Sequence, residues 1–424
     1  MTGRPLSLIL YAAATALLQP LVPLILDRRA RRGKEDPARL GERLGRSATP
    51  RPEGRLVWLH GASIGESLSL LPLVEAIRRE RPETAVLVTS GTRTSAELLA
   101  ARLPAGAIHQ YAPVDAPSAV RRFLDHWCPD LAVFVESELW PNLILGARAR
   151  GTRLALLSAK LSEASFRNWS RLRSAARALL GAYDLILVQD ARAAERFAAL
   201  GVATQGLADL KFGAPPLPAD PAAIDKLKPV TKRRPIVLAA STHPGEDEQI
   251  LDAFVQLAVP GAGPPLLVLV PRHPERGEAI AQLCADRGMS AARRSQAASP
   301  IGCDVYIADT LGELGLWFRL ARLAIMGGSL VEGIGGHNPL EPARLGCPCV
   351  SGPFVANWRT VYDELEAAEA VARLKEASAL DPYLTSAVLD GRILADMAAK
   401  ARAYVEARDA EAREVPARVL ELIP

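Results

Sequence analysis

Trp58-Leu59-His60-Gly61-Ala62-Ser63-Ile64-Gly65-Glu66 joins an apolar run to a glycine-spaced turn that ends on a carboxylate. Leu56 to Leu59 reads as a buried strand, and Gly61 and Gly65 permit a tight turn. Ser67 to Glu80 then carries helix-spaced leucines up to the break at Arg81-Pro82. Glu66 falls in the first turn of that helix. Three readings compete for it. It is a general base presented by the loop; or it lies beside a nucleophile elbow, Gly61-x-Ser63-x-Gly65, with Ser63 as the reactive group; or it only complements the positive end of the helix dipole. Taken alone, the nine residues favour the last.

The same rhythm continues outward. Leu56 to Leu59, Ala85 to Thr89, Leu131 to Val135, Leu154 to Leu157 and Leu185 to Val188 are apolar runs, each followed by a small or polar loop and a helical pattern. This is the pattern of a doubly wound parallel sheet. It stops near Phe212, where Gly213 to Pro221 and Lys226 to Pro235 read as an interdomain linker. A second series follows: Ile236 to Ala240, Leu266 to Val270, Val305 to Ala308, Leu323 to Met326 and Cys349-Val350. The expected architecture is α/β, two parallel-sheet domains facing a cleft. Expected boundaries are 1–33 for an anchor with its basic flank, 34–212, a linker at 213–235, and 236–424. Ligands of such sheets bind outside the carboxyl ends of the strands.

At 424 residues, with 49% hydrophobic residues and 33 prolines and 31 glycines spread throughout, the chain suits about two globular domains. A net charge of +4 does not point to nucleic acid. Five cysteines, an odd number without a Cys-x-x-Cys pair, argue against a disulfide framework and a zinc site; Cys347-x-Cys349 reads as two small buried residues. A reducing compartment follows. Pro5 to Leu26 has no charged residue, close to the roughly 20 apolar residues that span a bilayer. Arg28, Arg29, Arg31, Arg32 and Lys34 follow it, against Arg4 before it, so a positive-inside bias puts the rest in the cytoplasm. A single anchor or a monotopic segment is expected, ahead of a core helix broken by Pro20 and Pro23. In the connector from Lys34 to Pro52, Arg39, Arg43 and Arg46 read equally as solvated or as facing anionic headgroups.

The strand-end loops carry the chemistry. Ala240 is followed by Ser241-Thr242-His243-Pro244-Gly245-Glu246-Asp247-Glu248, and Val270 by Pro271-Arg272-His273-Pro274-Glu275-Arg276. Ala308 leads to Asp309-Thr310-Leu311-Gly312-Glu313-Leu314, and Met326 to Gly327-Gly328-Ser329 and Gly335-Gly336-His337-Asn338-Pro339-Leu340-Glu341-Pro342. Asn338-Pro339-Leu340-Glu341 fits a helix start with Asn as cap and Pro at the first position. The same geometry suits a phosphate, with a carboxylate in reach of ribose hydroxyls. Arg272 at a strand end suits bidentate contact with a phosphate. Four such loops together favour a nucleotide-type ligand. There is no Asp-x-Asp, and the six histidines show no paired ligand spacing, so no metal site is expected. A donor with a single phosphate fits best.

In the first half, Glu136-Ser137-Glu138-Leu139-Trp140-Pro141-Asn142 puts acidic groups on the edge that holds Glu66, one of them a possible cap for the helix near Pro141. Lys211 lies just before the linker, in reach of a cleft, although an isolated lysine is more often solvated. Arg167, Arg171, Arg173 and Arg177 give Phe166 to Leu180 a basic face.

Together these loops resemble the 3-deoxy-D-manno-octulosonic acid (Kdo) transferases of lipopolysaccharide biosynthesis over nearly the whole chain. The resemblance is carried by His60-x-x-Ser63-x-Gly65-Glu66, Glu136-x-Glu138-Leu139-Trp140-Pro141-Asn142, Ser241-Thr242-His243, Pro271 to Arg276, Gly312-Glu313-Leu314 and Gly335 to Pro342. It implies a GT-B fold of two Rossmann-like halves, CMP-Kdo as donor, a lipid A precursor as acceptor, no cofactor, and a place on the cytoplasmic face of the bacterial inner membrane. It further implies Glu66 as proton acceptor, Glu136 and Lys211 as supports of the transition state, and Pro271, Arg272, Leu311, Gly312, Glu313, Asn338, Pro339, Leu340 and Glu341 as CMP-binding positions. Gly61, Pro244, Leu311 and Gly213 stand where alanine, glutamate, methionine and aspartate are usual; Gly213 and Pro244 weaken any carboxylate role there. The implied chemistry is a single inverting displacement, with Glu66 taking the acceptor proton and helix termini, Arg272 and Lys211 doing a metal's work. Its rivals are an α/β-hydrolase using Ser63, a tethered binding protein on a degenerate transferase fold, and a GT-B enzyme for another nucleotide sugar.

Overall fold

A computed structural model describes residues 4–231, 234–255, 257, 265–389 and 391–424. The chain divides into two compact units, one ending at Ala214 and taking in Arg408–Pro424, the other running Pro215–Ala407. In the first, strands β1 (Leu56–Gly61), β2 (Ala85–Ser90), β3 (Ile108–Tyr111), β4 (Leu131–Val135), β5 (Arg153–Ala159) and β6 (Leu185–Val188) form a parallel sheet in the order β3-β2-β1-β4-β5-β6. Strand order reverses between β1 and β4. The loops after these two strands therefore flank a crevice of the kind that holds ligands in doubly wound folds.

β1 shows why the sheet forms. All six of its residues are buried, and alternate ones serve opposite cores. Trp58 packs against Phe123 and Phe134, ring centroids 4.9 and 5.1 Å away. Val57 and Leu59 face a second cluster with Leu73, Val74 and Ile77 of the helix Ile64–Glu80. That second cluster also holds Val415, Val419 and Ile423, from the end of the chain. The last residues thus belong to the first unit, where the sequence reading carried the second domain on to residue 424.

The second unit holds β7 (Ile236–Thr242), β8 (Leu266–Pro271), β9 (Ala291–Arg293), β10 (Val305–Ile307), β11 (Leu323–Met326), β12 (Cys349–Ser351) and β13 (Ala372–Arg373). They pair in parallel in the order β13-β12-β11-β7-β8-β10-β9. Here the order reverses between β7 and β11. Residues expected as linker are partly helical: Pro221–Thr231 forms a helix, because Leu227 and Val230 supply a buried face.

Near the amino terminus, Leu6–Leu18, a 3₁₀ turn at Gln19–Leu21 and Val22–Arg31 make a stretch long and apolar enough to cross a membrane by length and composition. One polar edge ties it to the first unit. The Tyr11 hydroxyl donates to Asp115 (2.9 Å), the Asn142 amide to Thr15 (2.9 Å), and the Ser118 N–H to Gln19 (3.1 Å). These residues recur every fourth position and so share one face. The other faces leave Leu6, Leu10, Leu17 and Leu24 exposed. In the connector, Arg43 is largely buried against Glu35 and the Ala112 carbonyl, and Arg39 pairs with Glu42 and reaches His109. Both arginines hold the fold together and are not turned out toward headgroups.

Candidate active site

Glu66 sits at the third position of its helix, which begins at Ile64 with Ser63 as the cap. Ser63 Oγ accepts the Glu66 N–H and donates to Glu66 Oε1 (2.8 Å), while the Ala62 N–H donates to Oε2 (2.8 Å). The carboxylate therefore completes a capping arrangement. Each of its oxygens keeps a second lone pair, so accepting a proton from a substrate hydroxyl is still open. Burial raises its pKa; the bonds from Ser63 and Ala62 pull the other way, and the nearby charges of Glu136 and Glu138 add to the rise. Burial and like charge thus outweigh the helix terminus and leave a stronger base than an exposed glutamate.

The Ser63 hydroxyl is committed to Glu66 and has no imidazole beside it. His60, the nearest candidate in sequence, is bonded through Nδ1 to Thr89 (2.8 Å), and its Nε2 lies 3.7 Å from Glu138. A nucleophile elbow needs the reverse arrangement, a base aimed at the serine. The hydrolase reading fails here.

Glu136 directly follows β4 in left-handed backbone geometry, φ +59°. Such a conformation in a non-glycine residue costs about 1–3 kcal/mol and is characteristic of functional sites. It aims the carboxylate at two lysines, Lys160 Nζ at 2.6 Å and Lys211 Nζ at 3.3 Å. Burial pushes its pKa up, but Lys211 and Lys160 outweigh that and hold it below the usual value. Lys211 is steadied in turn by buried Asp209, which accepts the Lys211 N–H (2.9 Å). Glu66 and Glu136 therefore share one sheet edge, and Lys211, which reads from sequence as a solvated charge, joins them through its ion pair with Glu136. Lys160 was missed; its position directly after β5 was the available signal.

Neither Glu136 nor Glu138 caps the helix Pro141–Ala149. Asp115 does so, accepting from the N–H groups of Asn142 (3.1 Å) and Leu143 (2.8 Å). Glu138 instead accepts from the Trp140 indole (2.6 Å). His60, Glu138, Trp140 and Asp115 line a cavity of about 290 Å³ with Ala62, next to the Glu66 turn. Arg173 and Arg177 donate to the carbonyls of Ala199 and Leu200, so half of the expected basic face closes the end of a neighbouring helix.

In the second unit, Ser241, Arg272, Gly312, His337, Asn338 and Glu341 line a cavity of about 280 Å³. Four of the nine expected nucleotide positions are among them. Arg272 is exposed, and among the described residues its guanidinium makes no hydrogen bond or ion pair, acting on Glu341 and His337 only through its charge. The Asn338 side chain accepts the Leu340 N–H (3.0 Å) and donates to Glu341 (3.4 Å). Burial raises the Glu341 pKa against the pull of Asn338, Arg344 and Arg272. The helix itself, Leu340–Arg344, is only five residues and starts two positions beyond Asn338.

The other five positions serve differently. Pro271 closes β8, Pro339 begins the turn, and Leu340 is fully buried in the core. Leu311 is 80% exposed. Glu313 is bound by Arg294 and by the Thr310 hydroxyl, and lines a neighbouring cavity. Glycine is required at 312, where φ is +81°.

Buried Glu246 organises the site from below. Its carboxylate accepts from the N–H groups of His243 (2.9 Å), Gly328 (2.7 Å), Ser329 (2.9 Å) and Leu330 (2.9 Å). Nothing in the sequence marks Glu246 beyond its place in the loop after β7. Glu246→Ala is expected to destabilise the second unit by about 2–3 kcal/mol, because it strands buried donors. Urea unfolding followed by circular dichroism checks this; a change within error contradicts it.

Among the described residues, no three His, Cys, Asp or Glu side chains gather in a way that would hold a metal ion. Residues 38–214 match the sequence family described as 3-Deoxy-D-manno-octulosonic-acid transferase (kdotransferase). The 3-deoxy-D-manno-octulosonic acid transferase of Rickettsia bellii is 35% identical over 373 residues, 88% of each chain. That of Bordetella pertussis is 36% identical over 386 residues, 88% of this chain and 89% of the relative. Among solved structures, MurG of Acinetobacter baumannii has a TM-score of 0.57 at 14% identity, covering 87% of this chain and all of that one. A UDP-GlcNAc 2-epimerase from Neisseria meningitidis has a TM-score of 0.53 at 11% identity, covering 87% and 99%. Both show the two-unit GT-B fold, which hosts more than one reaction.

Proposed function

The chain belongs to the 3-deoxy-D-manno-octulosonic acid transferase family and is a glycosyltransferase of GT-B fold, and from that premise we propose that it moves Kdo from CMP-Kdo to a lipid A precursor, lipid IVA, in one inverting, metal-free displacement. The observation that carries this reading is the sheet edge of the first unit. There a half-buried carboxylate with free lone pairs, Glu66, stands near Glu136 and its two lysines. Glu66 takes the proton of an acceptor hydroxyl as its oxygen attacks the anomeric carbon. The bond to the CMP phosphate breaks on the opposite face, inverting that carbon. Arg272 and the Gly312 and Asn338 loops hold the CMP, with Glu341 accepting from ribose hydroxyls. Glu136 holds Lys211 and Lys160 in place, so that they stabilise the transition state. The test is incubation with CMP-Kdo and a tetraacylated lipid A precursor. A lipid product heavier by one or more Kdo supports the proposal, and an unchanged lipid from folded protein contradicts it.

We place the enzyme on the cytoplasmic face of the inner membrane, seated by the amino-terminal segment as a monotopic anchor. Its polar edge is bonded to the first unit through Tyr11, Thr15 and Gln19, which leaves only the opposite faces for lipid. Leu10→Asp with Leu17→Asp is expected to weaken binding to anionic vesicles about tenfold or more, since each exposed leucine gains about 1.5–3 kcal/mol on burial. Flotation checks this; unchanged flotation contradicts it.

A further inference from the structure

His243 and His337 lie with their Nε2 atoms 2.9 Å apart and their ring planes 11° from parallel. They come from the loops after β7 and β11, on either side of the reversal in strand order. His337 also lines the cavity that holds Arg272. Two facing nitrogen lone pairs repel, and so do two facing N–H groups, so this contact requires one proton between the rings. A further proton, taken on an outer nitrogen, leaves that bond intact. A second further proton breaks it. The pair therefore carries a charge of zero or +1.

Every element around the pair bears on that choice. Glu246 favours the charged form of His243, although its carboxylate is already shared among four backbone N–H groups. Arg272, His273 and Arg276 come from the loop after β8 and oppose it, Arg276 being partly neutralised by Asp247. Glu341 lines the same cavity as His337. Burial dominates, pushing His337 down to about 4 and His243 below its ordinary value, and a hydrogen bond to the Ser241 backbone only partly offsets this at His337. The free protein thus holds the pair neutral near pH 7.

Given the donor-site reading above, on which this rests, we propose that the His243–His337 pair is a proton-linked anion receptor, taking up one proton when the phosphate of a cytidine nucleotide settles beside Arg272. The pair then supplies a positive charge that the free protein lacks. A bound anion raises the proton affinity of the pair, so ligand affinity rises as pH falls through the bound-state pKa and levels off below the free-state value.

The probe is the methyl ester of cytidine 5′-phosphate, a diester that does not itself titrate near neutrality. Calorimetry in two buffers of different ionisation enthalpy counts the protons taken up. The expected result is uptake approaching one proton, with affinity rising about tenfold or more between about pH 8 and about pH 5.5. His243→Gln and His337→Gln are each expected to bind with flat pH dependence and no uptake. Wild-type binding that is independent of pH and buffer overturns the proposal, as does uptake that persists in both variants or disappears in His273→Gln alone. Failure of the wild type to bind the diester at any pH overturns the donor-site reading itself, and this inference with it.

Discussion

Glu66→Gln is expected to lower kcat/KM for Kdo transfer by about 10²- to 10⁴-fold, the range for loss of a general base. Glutamine keeps an oxygen for the Ala62 N–H and nearly the same shape, so the cap largely survives. That separates base from cap: Glu66→Ala removes both and adds a stability loss of about 1 kcal/mol. The pH profile carries the same information. On the proposed mechanism transfer needs ionised Glu66, so the rate is expected to fall as pH drops through its pKa, which burial places above the ordinary carboxylate value. The acid limb belonging to Glu66 should vanish in Glu66→Gln. A variant with near wild-type turnover would show that Glu66 is only a helix cap.

Arg272→Ala is expected to weaken CMP binding roughly 10- to 100-fold, the worth of a charge-assisted bidentate contact. The change is unusually easy to interpret. The side chain is exposed and makes no hydrogen bond or ion pair among the described residues, so its removal strands no buried group. Thermal stability should be unchanged. Arg272→Lys should fall between, since lysine keeps the charge but not the planar fork. Calorimetry with CMP decides the matter, and wild-type affinity in Arg272→Ala would remove the residue from the site.

What the sequence makes legible follows from how local each feature is. β1, β4, β7, β8 and β11 stand inside their sheets, buried on both faces, and so read as unbroken apolar runs. β3, β9 and β13 were missed for the complementary reason. They are edge strands of four, three and two residues, with His109, Arg293 and Arg373 among them. Residues in loops that directly follow strand ends were found together, because a parallel sheet brings those loops to one edge, as Arg272, Gly312, Asn338 and Glu341 show. Partners brought in from distant parts of the chain were not. Lys160 reaches Glu136, Arg294 binds Glu313, Asp115 caps the helix at Pro141, and Val415 completes the core behind β1. No periodicity announces such pairings. A four-residue motif likewise does not separate Asn338, which turns the backbone beside the cavity, from Leu340, which fills the core.

The most direct test of the account is transfer of Kdo from CMP-Kdo generated in the assay to tetraacylated lipid A precursor, in EDTA, by wild type, Glu66→Gln and Ser63→Ala. The account predicts an inverted Kdo linkage on the lipid with wild type, a loss of orders of magnitude with Glu66→Gln, and substantial transfer with Ser63→Ala. Transfer abolished by EDTA, or undiminished in Glu66→Gln, would contradict it.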